Sequence, residues 1–344
     1  MTRREWTLEE LTAGVRAGEP RALARAISLV ENGASIGYPL VRELYPETGR
    51  AAVVGVTGPP GVGKSSLIAA LVKHIRASGQ TVGVVSVDPS SPFSRGALLG
   101  DRIRLSDHFL DPGVYIRSMG TRGHQGGLAE ATLQAVLLLD ASGKDVVFVE
   151  TVGAGQSEVE VTGIADSVLL VLMPGSGDSV QALKAGIMEI PDVIAINKLD
   201  HPAAKTMLNE VRSVIRLAGP DERRPPIVLT EALEETNVPE LWQKLEEHRA
   251  ELERGGELDA RRRRNLAAGV FAVASSRART HLESTVAEDP ALERLLESVQ
   301  RRELDPLTAV REILEKVFRF GDGVRPHGSD PGTAADDEGQ TRGV

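Results

Sequence analysis

The stretch that most constrains this chain is Gly58-Pro59-Pro60-Gly61-Val62-Gly63-Lys64-Ser65, set between an apolar run, Ala52 to Val56, and a helix-like segment opening at Lys64. In strand, loop, helix context, G-x-x-x-x-G-K-[ST] reads as a phosphate-binding loop. Its glycines let successive backbone N–H groups turn inward. Together with the positive end of the next helix, those donors solvate phosphate oxygens. Lys64 is placed to reach β and γ phosphates and Ser65 to offer a hydroxyl to Mg2+.

From Ala51 onward, apolar runs alternate with helix-length segments. The expected strands are Ala52 to Thr57, Thr81 to Asp88, Val114 to Ser118, Asp145 to Thr151, Ser167 to Met173, Val193 to Asn197 and Ile227 to Thr230. Their near-continuous hydrophobicity implies burial on both faces, hence an α/β fold: a P-loop NTPase with a mostly parallel twisted sheet flanked by helices. In such a sheet ligands collect at the carboxyl ends of strands. Gly58 to Ser65, Asp88, Glu150, Asn197 to Asp200 and Thr230 to Leu233 all fall there.

Upstream, Thr7-Leu8-Glu9-Glu10 has capping-box spacing. Leu23, Ala26, Ile27 and Val30 then recur at helical spacing behind Pro20, with Gly33 as a stop, and a short helix is expected over Pro39 to Leu44. These helices are expected to pack as an N-terminal appendage. After Trp242 the chain turns helical, with apolar stripes wide enough to need a partner surface, either its own sheet domain or a second copy acting through a dimerisation arm. The expected division is 1–50 as helical extension, 51–254 as nucleotide domain, 255–320 as C-terminal helical region and 321–344 as a disordered tail.

Bulk properties exclude several classes. The 344 residues suffice for one large domain with helical additions. A net charge of −9 offers no broad field for nucleic acid, and the basic run Arg261 to Arg264 reads as a solvated helix face. No apolar stretch approaches the roughly 20 residues of a membrane span. Zero cysteines exclude disulfides and thiolate metal sites. The first residues lack the apolar core of a signal peptide, so a soluble cytoplasmic protein is expected.

Asn197-Lys198-Leu199-Asp200 directly follows a buried strand. A carboxylate there accepts two hydrogen bonds from the N1–H and N2–H2 edge of guanine, whereas adenine would strand its charge, a discrimination on the order of 10⁴. This favours GTP over ATP. Thr230-Glu231-Ala232-Leu233 sits where a backbone N–H can meet guanine O6. Glu150-Thr151-Val152-Gly153 places an acid and a γ-phosphate-sensing glycine at a strand end, and Asp88 ends the neighbouring strand. Both acids can reach Mg2+ directly or through its waters. Asp101 is a third candidate, with a helix-capping or exposed acid as the alternative.

These residues resemble the methylmalonyl-CoA mutase-associated GTPases, the MeaB/ArgK family of SIMIBI-class P-loop GTPases. The likeness spans roughly Pro20 to Phe320 and rests on Gly58 to Ser66, Val87 to Pro92, Gly96 to Arg104, Arg122-Gly123-His124, Glu150 to Glu158, Pro174 to Ile190 and Asn197 to Asp200. The resemblance implies a homodimeric GTPase that chaperones an adenosylcobalamin-dependent mutase, gating cofactor loading and protecting the enzyme from inactivation. It implies a phosphate and Mg2+ site of Lys64, Ser65, Asp88, Asp101 and Glu150, with Lys64, Glu150 and Asp88 at the chemistry. Gly58, Pro59, Pro60, Gly61, Val62, Gly63, Ser66 and Gly153 would line the phosphates. Asn197, Lys198, Asp200, Glu231, Ala232 and Leu233 would hold the base of GTP or GDP. Family members often carry Ser where this chain has Glu231, so a backbone contact is expected there rather than a side-chain one. Three nucleotide-responsive loops are implied, the third containing Asp178, Gln181 and Lys184, with an exposed helix lysine as the alternative for Lys184.

Catalysis itself is thinly specified. Gln156 lies three residues after Gly153, too far along to be assigned the hydrolytic water, and no arginine is identifiable as a finger, so a slow GTPase completed by its partner is expected. The competing readings are a P-loop kinase of the kind proposed for amino-acid transport, a nickel-type metal-insertion GTPase, and a non-hydrolysing scaffold. The guanine segment opposes the first, the lack of Cys/His metal motifs the second, and intact Lys64 and Ser65 the third.

Overall fold

A computed structural model describes residues 6–88, 105–120, 127–151, 163–175, 191–217 and 224–318. Seven strands form one sheet: β1 (Ala52–Thr57), β2 (Val82–Asp88), β3 (Val114–Gly120), β4 (Val146–Thr151), β5 (Ser167–Leu172), β6 (Val193–Ile196) and β7 (Ile227–Leu229). Their order is β3-β2-β4-β1-β5-β6-β7, and every pairing is parallel. β1 lies centrally, so the loop leaving it emerges between β4 and β5. Each expected strand is present, with ends that coincide or shift by at most two residues.

Side chains alternate across this sheet as the two-residue period of a strand requires. Val53, Val85, Val147, Val149 and Val168 face one side. There they pack with the helices α1 (Leu8–Arg16), α2 (Pro20–Glu31), α3 (Gly37–Leu44) and α5 (Gly127–Ala141), through Leu11, Leu23, Ile27, Leu40 and Leu139. Val54, Val56, Val84, Phe148 and Val171 face the other side, against α4 (Lys64–Ala77) and α7 (Val238–Arg254). α6 (Ala204–Leu217) covers the β6 end through Met207, Val211 and Ile215. The N-terminal helices therefore share one continuous apolar core with the sheet. Their start is set locally: the Thr7 hydroxyl accepts from Glu10 N–H and the Glu10 carboxylate from Thr7 N–H, each at 3.1 Å, the reciprocal capping box.

The amino-terminal rim of the sheet is stitched by aspartates placed one residue before three central strands. Asp145 accepts from Thr81 N–H at 2.6 Å, Asp166 from Val53 N–H at 3.0 Å and Asp192 from Val168 N–H at 2.8 Å. Asp140, near the end of α5, accepts the Gly49, Arg50 and Ala51 N–H groups. The basic run corrects its sequence reading. Arg261 and Arg262 lie in α8 (Glu257–Glu288), and their guanidinium groups turn inward: Arg261 forks onto Asp192 at 2.7–2.9 Å and Arg262 onto Asp166 at 2.6–2.7 Å. Only Arg263 and Arg264 are solvated. Periodicity cannot see such a fork, because the buried aspartates are about 70 and 96 residues away.

The chain divides into two compact units, 1–276 and 277–344. Within the second, α9 (Pro290–Gln300) and α10 (Pro306–Val317) each begin at a proline behind an aspartate cap, Asp289 and Asp305. Among the described residues no helix is long and apolar enough to cross a membrane.

Candidate nucleotide site

The phosphate loop is built from conformations that only glycine adopts without strain. Gly58 has φ +139° and Gly63 φ +93°. A Cβ on Gly58 would run into the Val171 carbonyl oxygen of β5, and one on Gly63 would meet Asn197 Nδ2 at 2.5 Å. The loop is thus folded tightly over the rim. α4 opens at Lys64 directly behind Gly63, so its first N–H groups have no preceding turn to bond and face the loop.

Lys64 and Ser65 are both buried. Lys64 Nζ donates to the Gly58 carbonyl at 2.6 Å and the Pro59 carbonyl at 2.9 Å, holding its charge inside the loop. Ser65 Oγ donates to Glu150 Oε1 at 2.6 Å, and Ser86 Oγ donates to Glu150 Oε2 at 3.0 Å. The register explains this meeting: Glu150 on β4 lies opposite Val56 of β1 and Ser86 of β2. Ser86 is a neighbour that sequence reasoning missed, and its only signal was its place two residues before Asp88. At 5 % exposed, Glu150 sits within an all-oxygen set with two hydroxyls, the donor chemistry of a hard divalent cation. Asp88 ends β2 and is described there as backbone alone.

Asn197 joins this half of the site to the base half. Its Nδ2 donates to the Val62 carbonyl at 2.9 Å, and its Oδ1 accepts from Ala232 N–H at 3.1 Å. One buried amide therefore fixes the phosphate loop against the turn after β7. Lys198, at φ +60°, lies over the loop with Nζ 3.5 Å from the Gly61 carbonyl. Asp200 is exposed at the open edge. Pro60 and Gly61 are exposed and Pro59 and Val62 buried, so the loop's crest faces solvent.

Glu231 departs from expectation. Its side chain is 9 % exposed and lies in hydrogen-bonding reach of Asp200. Its Oε1 accepts from Leu233 N–H at 3.3 Å. Burial, and then the neighbouring Asp200 carboxylate, raise its carboxyl from the ordinary glutamate value, while the Leu233 N–H pulls the other way. The N–H groups of Ala232 and Leu233 are thus both engaged by side chains. Asp101, Gly153, Asp178, Gln181 and Lys184 lie outside the described residues, as do Arg122, His124, Gln156 and the tail from Gly321.

A family model described as methylmalonyl Co-A mutase-associated GTPase MeaB matches residues 23–287. The chain is 44% identical over 318 residues to a Pyrococcus abyssi protein named as a GTPase, an alignment covering 91% of this chain and 98% of that one. It is 33% identical over 323 residues to the GTPase ArgK of Escherichia coli, covering 91% and 97%. The Caenorhabditis elegans methylmalonic aciduria type A homolog is 34% identical over 275 residues, 74% of this chain and 69% of that protein. Among solved structures, that of a LAO/AO transport system kinase superposes with a TM-score of 0.69 at 28% identity, covering 92% of this chain and 99% of that one.

Proposed function

The chain belongs to the family of methylmalonyl Co-A mutase-associated GTPases, MeaB, and is a GTPase by that membership; from this premise we propose that it chaperones an adenosylcobalamin-dependent acyl-CoA mutase, gating cofactor loading and protecting that enzyme from inactivation. The observation that carries the nucleotide half is Asn197, whose amide spans from Val62 of the phosphate loop to Ala232 of the base turn. A change at either end of the nucleotide is thereby felt at the other. The mutase half is supported by the family's description and by the name of the C. elegans relative.

In this reading Gly58 to Ser66 cradle the phosphates. Lys64 leaves the Gly58 and Pro59 carbonyls for the β and γ oxygens, stabilising charge that develops on the leaving phosphate. Asp200 accepts the guanine N–H pair. The oxygens of Ser65 and Glu150, with Asp88 and Asp101, are assigned to Mg2+, which when bound neutralises phosphate charge. The Ser65 hydroxyl, which here donates to Glu150, would be one of the oxygens that hold the ion. Gly153, Asp178, Gln181 and Lys184 are assigned to the loops that respond to the γ phosphate. Homodimer formation through the C-terminal helices is supported by the exposed Val270, Phe271, Leu307 and Val310.

The description of the solved neighbour as a kinase favours a second reading, phosphoryl transfer to a small molecule. An ATP-using kinase has no use for Asp200 as a base acceptor. Calorimetry with Mg2+ and a panel of GDP, a non-hydrolysable GTP analogue and ATP separates the two: guanine nucleotides should bind and ATP should not. Co-purification from native extract should recover a B12-dependent mutase in one guanine-nucleotide state only. Recovery independent of nucleotide would overturn the gating role.

A further inference from the structure

The base end of the rim holds two carboxylates that face each other. The Glu231 backbone is fixed by reciprocal bonds with Thr236, at 3.2 and 3.0 Å, which set where its side chain leaves the turn. Its Oε1 has the Leu233 N–H. Its Oε2 is buried with no donor, next to the Asp200 carboxylate. Two carboxylates in hydrogen-bonding reach are both satisfied only when one proton is shared between them. Burial first, and then the Asp200 carboxylate, raise the Glu231 carboxyl, so Glu231 is the member of the pair that takes up the proton more readily.

We propose that Glu231 is a positioning residue for the guanine base: its protonated carboxyl holds the Asp200 carboxylate in the orientation that accepts the N1–H and N2–H2 pair. This rests on the guanine reading given above. One donated O–H occupies one lone pair of Asp200 and leaves the others for the base. An ionised Glu231 would instead repel Asp200 outward, away from the turn. The base also covers both groups and removes water from them, which disfavours a second negative charge still further. Binding therefore takes up a proton wherever Glu231 starts ionised, and guanine affinity falls as pH rises through the Glu231 titration.

The surrounding charged groups reinforce that direction. Glu234, on the same turn, adds negative charge. Lys198 from the β6 loop reaches for the Gly61 carbonyl, Lys73 of α4 is ion-paired with Glu235, and His201 sits against Gly175. Among the described residues, the two lysines near the turn thus have partners other than Glu231 and Asp200.

The test uses the full chain and GDP. Calorimetric affinities are measured from about pH 5.5 to 8.5 for wild type and for Glu231→Gln, whose amide donates to Asp200 at every pH. Because ionisation of the nucleotide's own phosphates cancels in the ratio of the two affinities, that ratio isolates Glu231. Wild type should weaken by about tenfold relative to Glu231→Gln across this range. At the alkaline end, wild-type binding should take up a proton, read from heats in two buffers of different ionisation enthalpy. A ratio that stays constant, or wild-type binding without proton uptake, overturns the proposal. Should Glu231→Gln fail to fold, the two-buffer measurement on wild type decides alone. GDP binding absent at every pH would overturn the guanine reading itself, an outcome distinct from pH-independent binding.

Discussion

The two rims of the sheet carry buried charge in opposite ways. At the amino-terminal rim, Asp166 and Asp192 are each gripped by an arginine fork from α8, and their remaining lone pairs take backbone N–H groups. His248, 2 % exposed, adds its Nε2 3.1 Å from Asp192 while Ser167 meets its Nδ1 at 2.7 Å. At the carboxyl-terminal rim, Lys64 rests on carbonyls, Glu150 takes hydroxyls, and Glu231 faces another carboxylate. At the first rim Asp166 and Asp192 are matched by opposite charge within the protein. Among the bonds described at the second, Lys64 meets carbonyls, Glu150 meets hydroxyls and Glu231 neighbours a carboxylate, the arrangement that the proposed nucleotide would reorder. Although Ser167, His248 and Asp192 are the residue types of a hydrolytic triad, the fork on Asp192 and the burial of Ser167 make them a clasp joining β5, β6, α7 and α8.

If that contrast holds, changes at one rim cost stability and changes at the other cost chemistry. The largest effect on folding is expected from Arg262→Met, which strands the buried Asp166 and should destabilise by about 3–5 kcal/mol. Denaturant melts measure this, and GDP affinity of the folded fraction should stay unchanged. Lys64→Ala should lower GTP turnover by about 10²–10³ while destabilising less than Arg262→Met, since it removes a buried charge along with its desolvation cost rather than stranding one. A variant at either rim that moves both readouts would break the comparison.

Acid titration sharpens it. Burial alone would raise the Asp192 carboxyl, but the adjoining His248 ring and the Arg261 guanidinium outweigh burial and hold it at about 2. Its folded pKa lies below the ordinary 3.8, so its contribution is present above pH 3.8 and is lost as pH falls toward 2. The loss is about 2 kcal/mol, and Asp192→Asn should remove that acid limb from a stability-versus-pH curve. The smallest effect is expected at Lys73→Ala. Its ion pair with Glu235 is exposed, so the melting temperature should move by about 1 °C or less.

Much of this molecule was legible in one dimension. Period-two and continuous apolar runs marked all seven strands, and the phosphate loop and Asn197 to Asp200 fell at the rim where strand ends collect ligands. Those features are local: a strand's burial and a loop's glycines are written within a few neighbouring positions. The arginine run reads as a solvated face in one dimension, and nothing there signals that the Glu231 side chain is buried beside Asp200. Both rest on partners far along the chain, across 96 residues for Arg262 and Asp166 and across the β6-to-β7 crossover for Glu231 and Asp200.

The sequence by itself determined the fold class, the order of the motifs and which end of the sheet receives the nucleotide, because each follows from patterns within a single element. Only the tertiary structure decided which buried charges are paired and which oppose one another. Whether a carboxylate meets a guanidinium or a second carboxylate depends on how separate elements pack, and desolvation then turns that difference in neighbour into one of protonation and function.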